Sequence, residues 1–324
     1  MKSVARIPNK ELAIFFIVTV AIFCSLSPSF RTGENFENIL VGFSHMGVLA
    51  VGQAFPILLG GIDLSVGSIV ALAGMVGFDG FLIFGLPGAI VIPVMLATSV
   101  VAGIFNGVLI TGARLQPFVA TLATMAVYRG VTYAISGRQL FPELATRSID
   151  DDLLLGLDNY VGHFPYAFFL LLIVAGLSQL LLAATRFGRD VYAVGGNREA
   201  ARLAGIPIGR TTAICYAISG FCAGLAALIL VSRMTTSQEN LGIGIELSAI
   251  AAAIVGGASL QGGTGNAIGP VIGAFLLGVI LIGLNLVGIT TYAQPVLTGL
   301  ILLGAVYYDR VLLGRRRLRL GKSQ

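Results

Sequence analysis

Asp63 is the carboxylate set most firmly in an apolar context, within Leu59-Gly60-Gly61-Ile62-Asp63-Leu64-Ser65-Val66-Gly67-Ser68. A carboxylate at membrane depth either carries protons or holds structure. The Asp-x-Ser spacing directly after two glycines suits the second role, with Asp63 capping a following half-helix. Arg129, in Met125-Ala126-Val127-Tyr128-Arg129-Gly130, lies in the outer half of an apolar stretch, where it can pair with a carboxylate or snorkel outward. Gln53, Asn106, Asn285 and Gln294 are neutral amides on otherwise apolar stretches. Such amides exchange hydrogen bonds with an uncharged, hydroxyl-rich solute, or they tie helix to helix.

Catalytic chemistry has little to stand on. His45 and His163 are the only histidines, neither has a metal-ligand spacing such as H-E-x-x-H, and no G-x-S-x-G elbow supports a hydrolase. Cys24, Cys215 and Cys222 fall in apolar stretches and read as reduced packing residues. The C-terminal Gly321-Lys322-Ser323 imitates the end of a phosphate-binding loop, but the glycine that such a loop requires five positions earlier is Arg316. Nucleotide energy must therefore come from another chain.

Elements that position the polar residues are interrupted. A second glycine-rich break, Val255-Gly256-Gly257-Ala258-Ser259-Leu260-Gln261-Gly262-Gly263-Thr264-Gly265-Asn266, follows an apolar run as the first does, and the two form a weak internal repeat. Unwound backbone survives in a bilayer only where protein or a water-filled cavity satisfies its polar groups. Paired breaks at Gly60, Gly61 and Gly256, Gly257 therefore point to a pathway between two halves, with Asp63, Ser65, Gln53, Asn106, Arg129, Asn285 and Gln294 as its candidate polar residues.

A short polar helix separates two of the apolar stretches: Asn197-Arg198-Glu199-Ala200-Ala201-Arg202-Leu203-Ala204-Gly205. Asn197 is a good N-cap, Glu199 puts negative charge in the first turn, and Gly205 with Pro207 ends the helix after about two turns. Glu199 and Arg202 can pair at i and i+3. The alanines leave a small, flat surface suited to a groove on another protein, unless the helix is no more than a turn in a loop.

The hydrophobic fraction is 56%, the charged fraction 11%, and the mean hydropathy +0.93. Together these specify an all-α, polytopic integral membrane helix bundle, a single transmembrane domain over 1–324. Gly is abundant at 43 residues and Trp is absent, as expected for close helix packing and broken helices. Apolar stretches at 12–28, 39–59, 64–80, 82–103, 117–136, 165–184, 212–231, 245–259, 265–287 and 291–308 give about ten crossings with both termini on one side. Lys2, Arg6 and Lys10, Arg114, the arginines from Arg186 to Arg210, and Arg310 to Lys322 fall on that side and make it cytoplasmic. Glu34, Glu37, Glu143, Asp150 to Asp152, Asp158, Glu239 and Glu246 fall on the other. The basic tail abuts a span and lacks interleaved aromatics, so it reads as an orientation signal with anionic-lipid contact; nucleic acid is not implied. The loop 137–164 is a lid, a docking edge or merely solvated.

These segments resemble the permease subunits of bacterial ABC importers for monosaccharides of the ribose, xylose and galactose type. The likeness rests on Gly60 to Ser68, on Phe187 to Asn197 with Glu199-Ala200-Ala201 and Gly205, and on Val255 to Gly265, in that order along the chain. It implies an inner-membrane chain that pairs with a second permease, equal or paralogous. A cytoplasmic ABC ATPase would dock on 186–211, and a periplasmic sugar-binding protein would deliver solute. No cofactor would sit on this chain, ATP and Mg being held by the ATPase. The distant Ile and Leu-Pro elements of the wider coupling motif are not evident. An ion-coupled secondary transporter using Asp63 and Arg129 is the rival reading.

Overall fold

The computed structural model describes residues 10–136, 148–289 and 295–307. Among them lie twelve α-helices: α1 (Lys10–Leu26), α2 (Gly33–Leu58), α3 (Val66–Leu82), α4 (Gly88–Gly112), α5 (Pro117–Ile135), α6 (Tyr166–Ala184), α7 (Arg186–Gly196), α8 (Arg198–Leu203), α9 (Ile208–Met234), α10 (Ile245–Val255), α11 (Gly269–Leu286) and α12 (Pro295–Tyr307). A two-residue hairpin, β1 (Tyr160–Val161) with β2 (Phe164–Pro165), is the sheet structure of the described residues. Six helices, α2, α4, α5, α6, α9 and α11, are long and apolar enough to cross a membrane, and α1, α3, α10 and α12 are shorter apolar helices.

The bundle is organised around α2 and α9, most of whose residues are buried. Helices α4, α5 and α6 are mostly exposed and apolar on their outer faces, with Val101, Val127 and Leu177 each more than half exposed. An apolar exterior around a helical interior is the arrangement that lipid requires. Small residues set the closest crossing, between α4 and α9. A methyl group on Gly107 would stand 2.6 Å from the Ala213 Cα, and one on Gly220 would stand 3.1 Å from the Gly103 Cα. Without a hydrophobic drive between helices in lipid, such backbone contact supplies the dispersion energy that holds them.

Most expected spans match helices to within a few residues, but the turn after α3 is displaced. The hydrophobic run continues smoothly through Leu82 to Pro87, so hydropathy places a span from residue 82, whereas α4 starts at Gly88 behind the extended Pro87. Asp151 fixes that start: its Oδ2 accepts from Gly88 N at 3.0 Å, and its Oδ1 accepts from Leu153 N at 3.0 Å and Leu154 N at 2.9 Å. A carboxylate against free N–H groups at a helix start is favourable on both hydrogen-bond and dipole grounds. Residues 137–147 of the loop after α5 and the basic tail beyond Tyr307 lie outside the described residues.

Candidate functional site

The first break gathers polar groups from four helices, α2, α4, α5 and α9. Gly60 takes φ +79° and ends α2. Three residues before the first residue of α3, the Asp63 Oδ1 accepts from Ser65 N at 3.0 Å and Ser65 Oγ at 2.6 Å, an Asx turn that launches the helix. Its Oδ2 accepts from Ser219 Oγ of α9 at 2.9 Å. Gln53 of α2 donates its Nε2 to the Asp63 carbonyl and accepts from Asp63 N at 3.4 Å, satisfying both main-chain groups where the helix ladder is broken. Asn106 of α4 donates to Ser65 Oγ at 2.7 Å and accepts from Thr124 Oγ1 of α5 at 2.6 Å. Tyr216 donates to the Ile62 carbonyl at 3.4 Å. Gln53, Asp63, Ser65 and Asn106 are all fully buried.

Four candidates from the sequence thus meet in one place, as a closed network that holds the break. Ser219, Thr124 and Tyr216 complete it and escaped notice because lone hydroxyls on apolar helices carry no spacing signal. Arg129 is held chiefly by main chain: its Nη1 donates to the Glu239 carbonyl at 2.7 Å and the Leu241 carbonyl at 2.8 Å, with the Glu246 carboxylate close enough to attract its charge. Asn285 lies exposed near the end of α11, apart from this network. Gln294 lies outside the described residues.

The second break repeats the device. Asn266 Oδ1 accepts from Ile268 N at 3.0 Å and Gly269 N at 2.7 Å, and so starts α11 as Asp63 starts α3. Both residues stand three positions before the first residue of the helix they start, so the repeat aligns on Asp63 and Asn266. The Gly-Gly pairs are not in register with it, because the second break carries extra chain between glycines and cap. That excess is Ser259 to Gly265, folded on itself by Ser259 N to the Thr264 carbonyl at 3.1 Å and Gly262 N to the Ser259 carbonyl at 2.9 Å. Gly256 ends α10 in backbone contact with Gly269, and Gly257 takes φ +96°.

Both breaks touch the polar segment. Helix α7 buries Gly188, Val191 and Val194 along one face. Its penultimate residue, Gly195, sits so close to the first break that a methyl group there would collide with the Leu58 carbonyl and stand 2.6 Å from Gly263 N. Leu58 in turn accepts from Gly263 N at 2.8 Å, joining the end of α2 to the second break. A methyl group on Gly262 would stand 2.8 Å from the Gly195 carbonyl and 2.9 Å from Gly60 N. Tyr192 of α7 donates to the Gly265 carbonyl at 2.9 Å. Three stretches of main chain therefore meet at a junction with no room for side chains.

Helix α8 projects from this junction. Asn197 caps it, accepting from Ala200 N at 2.9 Å, and Gly205 with φ +76° closes it. Glu199 and Arg202 pair at 2.9 Å on the exposed surface. The alanine face is divided: Ala201 is buried against the protein, whereas Arg198, Ala200 and Ala204 are exposed and Leu203 is 84% exposed. A cleft of about 640 Å³ beside α8 is lined by Arg114, Gln116, Arg198, Glu199 and Arg202. No group of His, Cys, Asp or Glu that could hold a metal occurs among the described residues.

Residues 35–306 match the family described as "Branched-chain amino acid transport system / permease component". The chain is 38% identical over 306 residues to the ribose import permease protein RbsC of Haemophilus influenzae, covering 94% of each chain. It is 37% identical over 308 residues to the D-allose transport system permease protein AlsC of Escherichia coli, covering 92% of this chain and 91% of that one. To the L-arabinose transport system permease protein AraH of Escherichia coli it is 37% identical over 312 residues, covering 92% and 89%. These likenesses span the helices, both breaks and the α7–α8 segment, and with the apolar helices they make the chain a multi-pass transport component of the bacterial inner membrane, not an enzyme. The chain belongs to the branched-chain amino acid transport system / permease component family.

Proposed function

We propose that this chain is the membrane subunit of an ATP-driven ABC importer for a monosaccharide, and that α8 is the contact through which a cytoplasmic ATPase drives it. The observation that carries the reading is the junction of Gly195, Leu58 and Gly263, which joins an exposed capped helix to both helix breaks through main-chain contacts. A push on α8 passes to α7 and then to both breaks, because close-packed backbone transmits displacement without absorbing it in rotamers. Two such permease chains rocking about a shared path would alternate access to the two sides. ATP and Mg belong to the ATPase, and a periplasmic sugar-binding protein supplies solute from outside. Ten crossings with both termini cytoplasmic fit the basic residues of the α4–α5 turn, the α7–α8 segment and the two ends of the sequence.

A monosaccharide suits the site better than a charged solute. Asp63 and Arg129 are both committed to hydrogen bonds within the protein, so neither is free to hold the charges of an amino acid zwitterion. The similar proteins carry the names of ribose, D-allose and L-arabinose, all uncharged polyols. The ion-coupled alternative would need Asp63 to exchange protons, whereas donors engage both of its oxygens. The test is Leu203→Asp, which puts a charge on the most exposed apolar side chain of α8 without touching the junction. The ATPase subunit should co-purify less well, with uptake falling in parallel and the permease still inserted. Full ATPase retention and uptake would contradict docking through this helix.

A further inference from the structure

The segment that follows α9 re-enters the bundle. Helix α9 starts beside α8 and ends at Met234, on the opposite side, yet the chain does not leave the protein there. Thr235 takes φ +54° and the backbone turns back along α3. A methyl group on Gly74 would stand 3.0 Å from Ser237 Oγ and 3.2 Å from Leu241, level with Val231 of α9. Further down α3, one on Gly67 would collide with the Gly242 carbonyl and the Glu246 carboxylate. Seven residues of helix separate Gly74 from Gly67, so the segment descends about 10 Å before α10 begins. Arg129, about 18 Å along α5 from Pro117, clamps it at that level through the Glu239 and Leu241 carbonyls.

The segment is not helical, and one side of it is uncovered. Gly242 and Gly244 take φ +75° and +84°, and Asn240, Ile243 and Gly244 are exposed. Hydrocarbon cannot solvate exposed, irregular main chain at such a level; only protein or a water-filled cavity can. We propose that residues 237–244 form a water-lined constriction of the solute path, positioned by Arg129, where an uncharged polyol meets the Asn240 amide and neighbouring main-chain groups. This rests on the transport reading for its solute but not for its water.

The test is thiol labelling of the full assembly by a charged, membrane-impermeant reagent applied from the side opposite α8. Asn240→Cys is compared with Asp152→Cys in the exposed outer loop and with Leu172→Cys on the apolar face of α6, as far from the outer end of α6 as Arg129 is from that of α5. The unmodified chain gives the background from Cys24, the one cysteine of the three that is not buried. Asn240→Cys should react about tenfold faster than Leu172→Cys, since only water carries the reagent there. Equal rates at these two positions, with Asp152→Cys reactive, would overturn the proposal in favour of a segment sealed by lipid or a second permease. Adding Arg129→Met should change the Asn240→Cys rate severalfold; an unchanged rate would remove Arg129 from its positioning role. Labelling of Asn240→Cys without sugar uptake by any energised assembly would leave the water-lined constriction standing and defeat the transport reading instead.

Discussion

Gly195→Ala, set against Gly196→Ala, isolates the junction between α8 and the breaks. Both glycines close the same helix, so both substitutions gain the same helix propensity, up to about 1 kcal/mol. They differ in space. A methyl group on Gly196 meets nothing within 4 Å, while one on Gly195 stands 2.6 Å from Gly263 N and nearer still to the Leu58 carbonyl. Ordinary carbon–oxygen contacts begin near about 3.3 Å, so α7 must move away from the end of α2 by an appreciable part of an ångström or more. Overpacking of this kind costs about 1–3 kcal/mol, and with propensity cancelled that is the expected difference between the variants. If the Gly263–Leu58 hydrogen bond also opens, the buried groups left unpaired add about 1–3 kcal/mol. The assay has two arms: thermal inactivation of the purified chain, and solute moved per ATP hydrolysed in vesicles holding the whole assembly. Gly195→Ala should be the less stable and the less well coupled, with Gly196→Ala close to the parent in both. Two variants alike in stability and coupling ratio would refute the claim that main-chain contact at Gly195 transmits the motion.

Asp63→Asn should keep much of the stability and uptake, because an amide still accepts from Ser65 and can donate to Ser219, whereas Asp63→Ala strands several buried donors and should lose about 1–3 kcal/mol for each left unpaired, measured by thermal inactivation. Backbone N–H groups of Leu154 and Gly88 hold the Asp151 carboxyl below its usual range, so its contribution is complete above the unfolded value of about 4 and is lost as pH falls through the lower folded one. The hydrogen-exchange protection factors across residues 148–158, taken against the intrinsic rate at each pH, should therefore fall in acid in the parent, and Asp151→Asn should remove that acid dependence; an identical acid response in the variant would place the sensitive group elsewhere.

Much of this architecture is local and was legible before folding. Hydropathy marks the apolar helices because length and solvent fix them, and Asn197, Glu199 and Gly205 mark α8 because caps act within a few residues. The two breaks show as Gly-Gly pairs for the same reason. Their true correspondence did not show, since Asp63 and Asn266 share a role only through the helices they start, and glycine spacing misplaces the match. Arg129 was found but its partners were not: a guanidinium seeks any acceptor in reach, and two main-chain carbonyls more than a hundred residues away leave no mark in side-chain types. Nor does sequence tell Gly195 from Gly196, one jammed against two breaks and the other facing open space. What the sequence by itself determined is where helices begin, stop and face lipid, through hydropathy, capping and chain flexibility. Which broken ends meet, which polar residues close on one another and how the segment after α9 re-enters the bundle are decided only by tertiary packing, because those contacts run between backbones that the chain brings together in space.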